Sequence, residues 1–592
     1  MPDLLRQPTI ASIQRSDIEA DPRITTITAA LRAVAEYPVN PENSHGVIVL
    51  DGRGGAKRLS YPELWSAART VAAGLRQRGL KAGARVLLLL PTSEEYVVTL
   101  CGALLLGTMP CTVAAPTTRS KADEALRYLG YIYDKLDPAL ILVPEHLQAT
   151  LQEHPGIDAH RVVTADDVRG EAPLATGALP MIRAEQPLHI QLTSGTTNKP
   201  KGVVLTHHNV IQNVQAIARA VDFVPSTDSG LSWLPLYHDM GFIQLLMAIY
   251  YQSSMVLMTP TSFLRDPLSW LHNIGRYRVS ITAAPTFAYS LCLRKFDPGK
   301  LTGLDLGAWR RSFVGAEPVP LGILQQFTDT YRPYGLHDDT IYPSYGMAET
   351  VLITSGPTDL SHNPRHVFGF VACDRIDPEL LRTQGRAVPS PNDDMSSPRS
   401  IEILGMGPPV KGLEIVVQDE QGQVVEDRVV GEICVRGTSL MQGYFQDAEA
   451  TTLAVRDGYY HTGDRGYLVD GELYVLGRIK ELIIVRGRNY QPFDIEAVIE
   501  EHEAVRKGYA VVFGVYNAEQ GTDDMVAVIE TKVAPEERPP MAQQIQQSLQ
   551  TIFGFRAHEI IFVRHGTIPR TTSGKPQRVL SKEWYEQGKF KA

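Results

Sequence analysis

The chain has 592 residues, too many for one hydrophobic core, so two or more domains are expected. Apolar residues make up 43% and charged residues 21%, an ordinary composition for a soluble globular enzyme. A net charge of −9 and a pI near 6.0 argue against nucleic acid as a partner, since phosphate backbones need clustered lysine and arginine.

The opening stretch MPDLLRQPTIASIQRSDIEADPR mixes charges and has no apolar centre, so residues 1–23 read as a tail and not a secretory signal. From about Ile24, apolar runs such as RVLLLLP and SMVLMTP alternate with amphipathic patterns such as YPELWSAARTVAAGLRQRGL. That alternation predicts parallel sheets covered by helices on both faces. Two uncharged stretches, Tyr96 to Thr118 and Met240 to Leu264, raise the question of a membrane span. Gly107 and Pro110 interrupt the first and Gln252-Ser253-Ser254 the second, so helix, turn and buried strand are expected instead.

Between them lies LTSGTTNKPKGVVL, Leu192 to Leu205. Its run of small and hydroxyl residues lets successive N–H groups and hydroxyls turn toward an anion, with Lys199 and Lys201 adding charge. It departs from the common G-x-x-x-x-G-K-[ST] loop, because Pro200 and Gly202 stand at the second glycine and the hydroxyl position. A surface turn with solvated lysines is the alternative. The following GVVLTHHNV reads as a strand entering a helix.

Further on, YPSYGMAET joins an aromatic face, a close-approach glycine and Glu349, an oxygen donor fit for a hard cation. The segment Val371 to Ser400 is polar and rich in proline and serine, and reads as an irregular insertion. The runs GLEIVVQDEQGQVV and GEICVRG then predict antiparallel strands joined by turns. In YHTGDRGYLVDGELYVLGRIKELI, Asp464 offers an acceptor for ribose hydroxyls and Arg478 a permanent cation, though each alone equals an exposed turn residue. From about Glu481, YAVVFGVY, MVAVIETKV and MAQQIQQSLQTIF predict a small α+β unit. Near its end PRTTSGKPQR carries Lys575 in a loop, where an idle surface lysine is the alternative. Cys101, Cys111, Cys292, Cys373 and Cys434 are scattered without a C-x-x-C pair, which fits a reducing cytoplasm and gives no sign of zinc or a disulfide framework.

Taken in order, the hydroxyl loop, YHDMG, VGAEPV, YPSYGMAET, HTGD, GRIKELI and the final Gly-Lys resemble the adenylate-forming superfamily of acyl-CoA synthetases, peptide-synthetase adenylation domains and luciferases. The resemblance covers almost all of the chain beyond the tail. It implies an α/β fold with a large domain over 24–479, built of two α/β subdomains plus a distorted β-barrel at about 401–479. An insertion at about 354–402 and a smaller mobile α+β domain over 480–592 complete it, with Lys480 as hinge.

The resemblance also implies roles. Thr193, Ser194, Gly195, Thr196, Thr197 and Lys201 would hold the β- and γ-phosphates of ATP, and Thr193 with Glu349 would bind Mg²⁺. Tyr345 would stack on adenine, Gly315, Ala316 and Glu317 would line the purine, and Gly346 and Met347 the α-phosphate. Asp464 would take the ribose hydroxyls beside Arg478, and Lys575 would reach the α-phosphate and the substrate carboxylate.

SWLPLYHDMGFI, APTFAYSLC and IIVRGRNYQPFDIE are similar to fatty acyl-AMP ligases in particular. That implies ATP-dependent activation of a medium- or long-chain fatty acid to acyl-AMP, then transfer to the phosphopantetheine thiol of an acyl carrier protein. His238 would sit where phosphate site and acyl tunnel meet, with Gly241, Pro285, Phe287 and Tyr289 along the tunnel. These apolar segments also read as plain core. Because the chain ends at Ala592 soon after the lysine motif, a separate carrier is expected. A fatty acyl-CoA synthetase and a non-catalytic acyl-adenylate binding protein are the competing readings. Two departures from the pattern stand out: Pro576 directly after Lys575, and Gln491 with Phe493 around Pro492.

Overall fold

The structure, a computed structural model, describes residues 19, 21–33, 45–115, 122–193, 200–356, 366–369, 371–390, 400–485, 488–517, 520, 522–571 and 574–590. Its largest sheet runs Ile341–Pro343, Arg311–Val314, Ile281–Ala284, Ser229–Ser232, Ser254–Leu257, Gly46–Leu50 and Ala56–Ser60, in that spatial order. All neighbours are parallel except the edge hairpin of Gly46–Leu50 with Ala56–Ser60. A second parallel sheet orders Met109–Thr112, Arg85–Leu88, Leu140–Leu142 and Val162–Val163. Strands such as Gly46–Leu50 and Ser254–Leu257 are buried along their whole length, which is why they read as unbroken apolar runs.

The helices follow from capping and periodicity. Tyr61–Gln77 starts at a capping box, in which Ser60 N donates to Glu63 Oε2 at 2.8 Å and Glu63 N to Ser60 Oγ at 3.4 Å. It buries Leu64, Trp65, Ala68, Val71, Ala72 and Leu75 on one face. The two uncharged stretches become helices Glu94–Leu105 and Asp239–Tyr251, each leading into a buried strand. No described helix is long and apolar enough to cross a membrane.

After the large sheet comes an antiparallel sheet of Leu413–Gln418, Gly431–Gly437, Tyr459–Val469, Val455–Arg456 and Glu472–Arg478. The polar segment before it is more ordered than its composition implies. Val371–Ile376 forms a strand antiparallel to Ile401–Leu404, because Val371, Ala372, Cys373 and Ile376 are all buried. Helix Pro378–Gln384 follows, N-capped by Asp377 Oδ1, which accepts from Glu379 N at 2.8 Å and Leu380 N at 3.1 Å. The proline- and serine-rich residues 391–399 of the expected insertion lie outside the described residues.

The C-terminal part has its own core. Ala510–Asn517 and Thr522–Glu530 pair antiparallel, and Glu559–Val563 adds in parallel. Helices Pro492–Glu500 and Arg538–Phe553 supply Ile495, Ile499, Ile545 and Leu549 to one cluster beneath the sheet. The fold is thus α/β, a large N-terminal domain followed by a small α+β domain.

Candidate active site

Four adjacent parallel strands of the large sheet deliver a group of the candidate residues at their carboxyl ends, where ligand crevices of open α/β sheets form. Gly315, Ala316 and Glu317 follow Arg311–Val314, and Tyr345 and Gly346 follow Ile341–Pro343. Pro285 and Phe287 follow Ile281–Ala284, and His238 follows Ser229–Ser232 at the start of the next helix. Phe287 N donates to Glu317 Oε1 at 2.7 Å, joining two of these strand ends. Gly346 is required by packing: a Cβ there would lie 1.7 Å from the Leu352 carbonyl oxygen.

Tyr345 Oη donates to Asp464 Oδ2 at 2.6 Å, and Asp464 Oδ1 pairs with Arg478 Nε at 2.8 Å. Asp464 and Arg478 face one another across the ladder between Tyr459–Val469 and Glu472–Arg478. Burial pushes the Asp464 carboxyl up from its ordinary range while Arg478 opposes the shift. Arg478 itself is held more firmly protonated, chiefly by Asp464. The residues expected at adenine and at ribose therefore form one connected cluster.

Of the phosphate loop, Ser194, Gly195, Thr196 and Thr197 lie outside the described residues. Its two ends are described and tied together: Thr193 N donates to Lys201 O at 2.9 Å, and Lys201 N to Thr193 Oγ1 at 3.2 Å. Lys201 Nζ stands 4.3 Å above the Tyr444 ring, and Tyr444 Oη donates to Glu349 Oε1 at 2.9 Å. Tyr460 Oη lies 3.4 Å from Tyr444 Oη. Glu349 is buried, and its carbonyl accepts from Met441 N at 2.8 Å. Tyr444 thus bridges the lysine of the loop to the acid expected at the metal, a link that sequence reading missed.

Lys575 reaches this cluster from the small domain. It sits in a tight turn where Thr571 N donates to Lys575 O at 2.8 Å and Lys575 N to Thr571 Oγ1 at 3.1 Å. Its Nζ donates to the carbonyl oxygen of Ala316, a residue held at φ 67° in the left-handed region. Burial lowers the Lys575 pKa, and the carboxylates of Glu317 and Asp239 oppose that. Asp239 and Glu317 are in turn pushed up by burial, with Lys575 pulling them back. Asp239 stood inside the motif YHDMG without a role; only the fold shows that it shares charge with Lys575.

The acyl-side residues divide. His238 Nε2 is buried with no hydrogen-bond partner among the described residues, and burial followed by Lys575 lowers the ring pKa to about 4. Phe287 packs edge-on against Trp233, with centroids 5.8 Å apart. Gly241 lets its helix meet the preceding loop, since a Cβ would lie 2.5 Å from the Pro235 carbonyl oxygen. Tyr289 is fully buried among Trp270 and Phe327, and its hydroxyl lies 2.8 Å from Ser312 Oγ. Packing within the domain thus accounts for Gly241 and Tyr289, while His238 and Phe287 adjoin the charged cluster.

Lys480 lies exposed in the turn Ile479–Glu481. Just beyond it Glu481 pairs with Arg578, which also holds Glu496 at 2.8 Å, so Glu481 is bound into the small domain.

The AMP-binding enzyme family model matches residues 37–445. The chain belongs to that family. Residues 480–592 also match a model described as the AMP domain of Disco-interacting protein 2-like proteins. A putative acyl-CoA synthetase of Caulobacter vibrioides is 30% identical over 95% of this chain and 96% of its own. A medium-chain-fatty-acid–[acyl-carrier-protein] ligase of Moorena producens is 30% identical over 90% of each chain. A solved structure from work on fatty acyl-adenylate ligases of E. coli and L. pneumophila superposes with a TM-score of 0.86 at 32% identity, covering 96% of this chain and 99% of that one. Within the adenylate-forming superfamily, this chain groups with the fatty acyl-AMP ligases.

Proposed function

We propose that this AMP-binding enzyme activates a fatty acid with ATP to acyl-AMP, releasing pyrophosphate, and delivers the acyl group to the phosphopantetheine thiol of an acyl carrier protein. The observation that carries the first half is the approach of Lys575 to Ala316, amid Glu317, Asp239 and Asp464. In this reading a carboxylate attacks the α-phosphorus, and the chief barrier is repulsion between two anions. Lys575 offsets the charge that builds on the α-phosphate, as preorganised cations do in phosphoryl transfer. Asp464 and Arg478 hold the ribose end, Tyr345 flanks the base, and Thr193 to Thr197 with Lys201 take the leaving pyrophosphate. His238 stays neutral at the mouth of the acyl site and so adds no second cation there.

The hydroxyl of Thr193 and the buried carboxylate of Glu349 would supply oxygen donors only, which suits a hard cation such as Mg²⁺. Bound there, the ion would neutralise phosphate charge. Tyr444 orients Glu349 for that duty through its 2.9 Å hydrogen bond.

Delivery to a carrier instead of CoA is supported by a clasp. Arg382, on helix Pro378–Gln384 of the insertion, stacks 5.2 Å from the Tyr490 ring and 5.5 Å from the Phe553 ring, both in the small domain. Arg488 pairs with Glu379 at 3.0 Å. These contacts favour the arrangement with Lys575 in the site and oppose the rotation that CoA-dependent thioesterification would use. The similarity to a putative acyl-CoA synthetase keeps CoA as the rival acceptor. Pyrophosphate release across a fatty-acid panel, followed by mass analysis with holo carrier protein and with CoA, separates them. Abundant acyl-CoA without carrier loading overturns the carrier assignment.

A further inference from the structure

The antiparallel sheet holds a second cluster of chemically able side chains, outside the candidate active site. Cys434 on Gly431–Gly437 faces His461 on Tyr459–Val469, so both project from the same face. Glu432 lies two residues before Cys434 and shares that face. A shift in register between Glu432 and Cys434 distorts the ladder there. The result is a close group: Cys434 Sγ is 3.4 Å from His461 Nδ1, and His461 Nδ1 is 2.9 Å from Glu432 Oε2. Gln418 Oε1, on the next strand, lies 3.5 Å from Cys434 Sγ. The three ligand atoms of Glu432, Cys434 and His461 lie within 4.8 Å of one another.

We propose that Gln418, Glu432, Cys434 and His461 form a structural binding site for a borderline-soft divalent cation, with zinc as the natural occupant. A tetrahedral centre with bonds of about 2.0–2.3 Å spaces its ligand atoms by roughly 3.3–3.8 Å. The sulfur–nitrogen and sulfur–oxygen separations already fall in that range. The His461–Glu432 hydrogen bond opens by about half an ångström as two metal bonds replace it. On binding, the Cys434 thiol releases its proton to the buffer and coordinates as thiolate. His461 moves its proton, by exchange with water, from Nδ1, where the hydrogen bond to Glu432 holds it, to Nε2, and coordinates through the bared Nδ1. With Glu432 ionised, two negative charges offset the dication, and a closed set of four ligands leaves no open position for chemistry. Sulfur and imidazole donors select against the Mg²⁺ that serves phosphates.

The surroundings support this reading. Gly463 N donates to Glu432 Oε1 at 3.0 Å, which orients the carboxylate and leaves Oε2 toward His461. Arg456 Nη2, 3.7 Å from Glu432 Oε2, is the competing cation; its side chain is 54% exposed and can swing into water. The site lies three residues before Asp464 on the same strand, so an ion there would pin the strand that presents Asp464. Sequence spacing could not reveal it, because Gln418, Cys434 and His461 come from three strands and are separated by 16 and 27 residues.

The test uses the full chain, stripped of metal and free of nucleotide, titrated with Co²⁺. The expected result is a thiolate-to-cobalt charge-transfer band that saturates at one equivalent and is bleached by Zn²⁺. The band is lost in Cys434→Ser and strongly weakened in His461→Gln. A Co²⁺ ion at the candidate Mg²⁺ position has no thiol beside it and gives no such band. Absence of the band in wild type, or its survival in Cys434→Ser, overturns the proposal. If a substitution unfolds the chain, X-ray absorption of zinc-loaded wild type decides instead: a sulfur neighbour at about 2.3 Å from the metal supports the site, and a shell of nitrogen and oxygen alone refutes it.

Discussion

Lys575 and Ala316, 259 residues apart in the chain, meet through the lysine Nζ and the alanine carbonyl oxygen. The contact places a cation from the small domain at the carboxyl end of a strand in the large one. Replacing Lys575 with alanine is expected to slow fatty-acid-dependent pyrophosphate release by about 10²–10³, the usual loss for one preorganised electrostatic contact. Thermal stability should change little, since Lys575 is half-buried in a turn and outside the hydrophobic cores. Unchanged pyrophosphate release would remove the lysine from the mechanism.

Tyr444→Phe removes the hydroxyl that Glu349 Oε1 accepts from. Loss of such an orienting partner typically costs about 10–100-fold in metal affinity or activity. The Mg²⁺ concentration for half-maximal rate should therefore rise by about tenfold or more. A Mg²⁺ titration at saturating ATP measures it, and an unshifted midpoint would separate Glu349 from the metal.

Arg382→Ala breaks the stacking on Tyr490 and Phe553. A cation–π contact is worth about 0.5–2 kcal/mol, so the rotational equilibrium should move by roughly 2–30-fold. Acyl-CoA formation relative to carrier loading is expected to rise by up to that factor. The ratio of products by mass spectrometry tests it, and a ratio equal to wild type would show that the clasp does not choose the acceptor.

His189 is buried 4.5 Å from the Phe242 ring, and burial lowers its pKa to about 3, with Gln191 opposing. A histidine kept neutral by the fold takes up its proton more readily when unfolded. Its contribution is therefore complete above pH 6.5 and is lost as pH falls toward 3, at about 1.4 kcal/mol per pH unit. Asp494 and Glu500, raised to about 6 and about 7 mainly by burial, act in the opposite sense over part of that window. A single replacement isolates the histidine: between pH 7 and 5 the wild-type melting temperature should fall further than that of His189→Leu. Parallel curves would contradict it.

Much of the fold could be read from the chain because buried parallel strands leave unbroken apolar runs and capped helices leave periodic ones. Gly46–Leu50 and the Ser60–Glu63 capping box are cases in point. The strand Val371–Ile376 escaped because Asp374 and Arg375 interrupt its apolar residues and Pro378 follows closely. Asp374 is in fact buried and paired with Arg428 at 3.0 Å, a satisfaction that only the fold provides. In the candidate site, residues whose types break periodicity stood out: a hydroxyl run, a Ser-Gly-Lys turn, an acid after glycine. Tyr444 and Tyr460 did not, because a tyrosine near a strand end looks like any other buried ring. Asp239 and the Glu432–Cys434–His461 group acquire meaning only from neighbours distant in sequence.

The position of Arg478 has a mechanical corollary. Its tie to Asp464 belongs to a ladder of the large domain, whereas Glu481, three residues later, is bound into the small domain by Arg578. In the proposed mechanism, swivelling at Lys480 against the Arg382 clasp would withdraw Lys575 while leaving the Asp464–Arg478 pair closed on the ribose. The enzyme could then keep a reactive intermediate parked while it exchanges one tool for another.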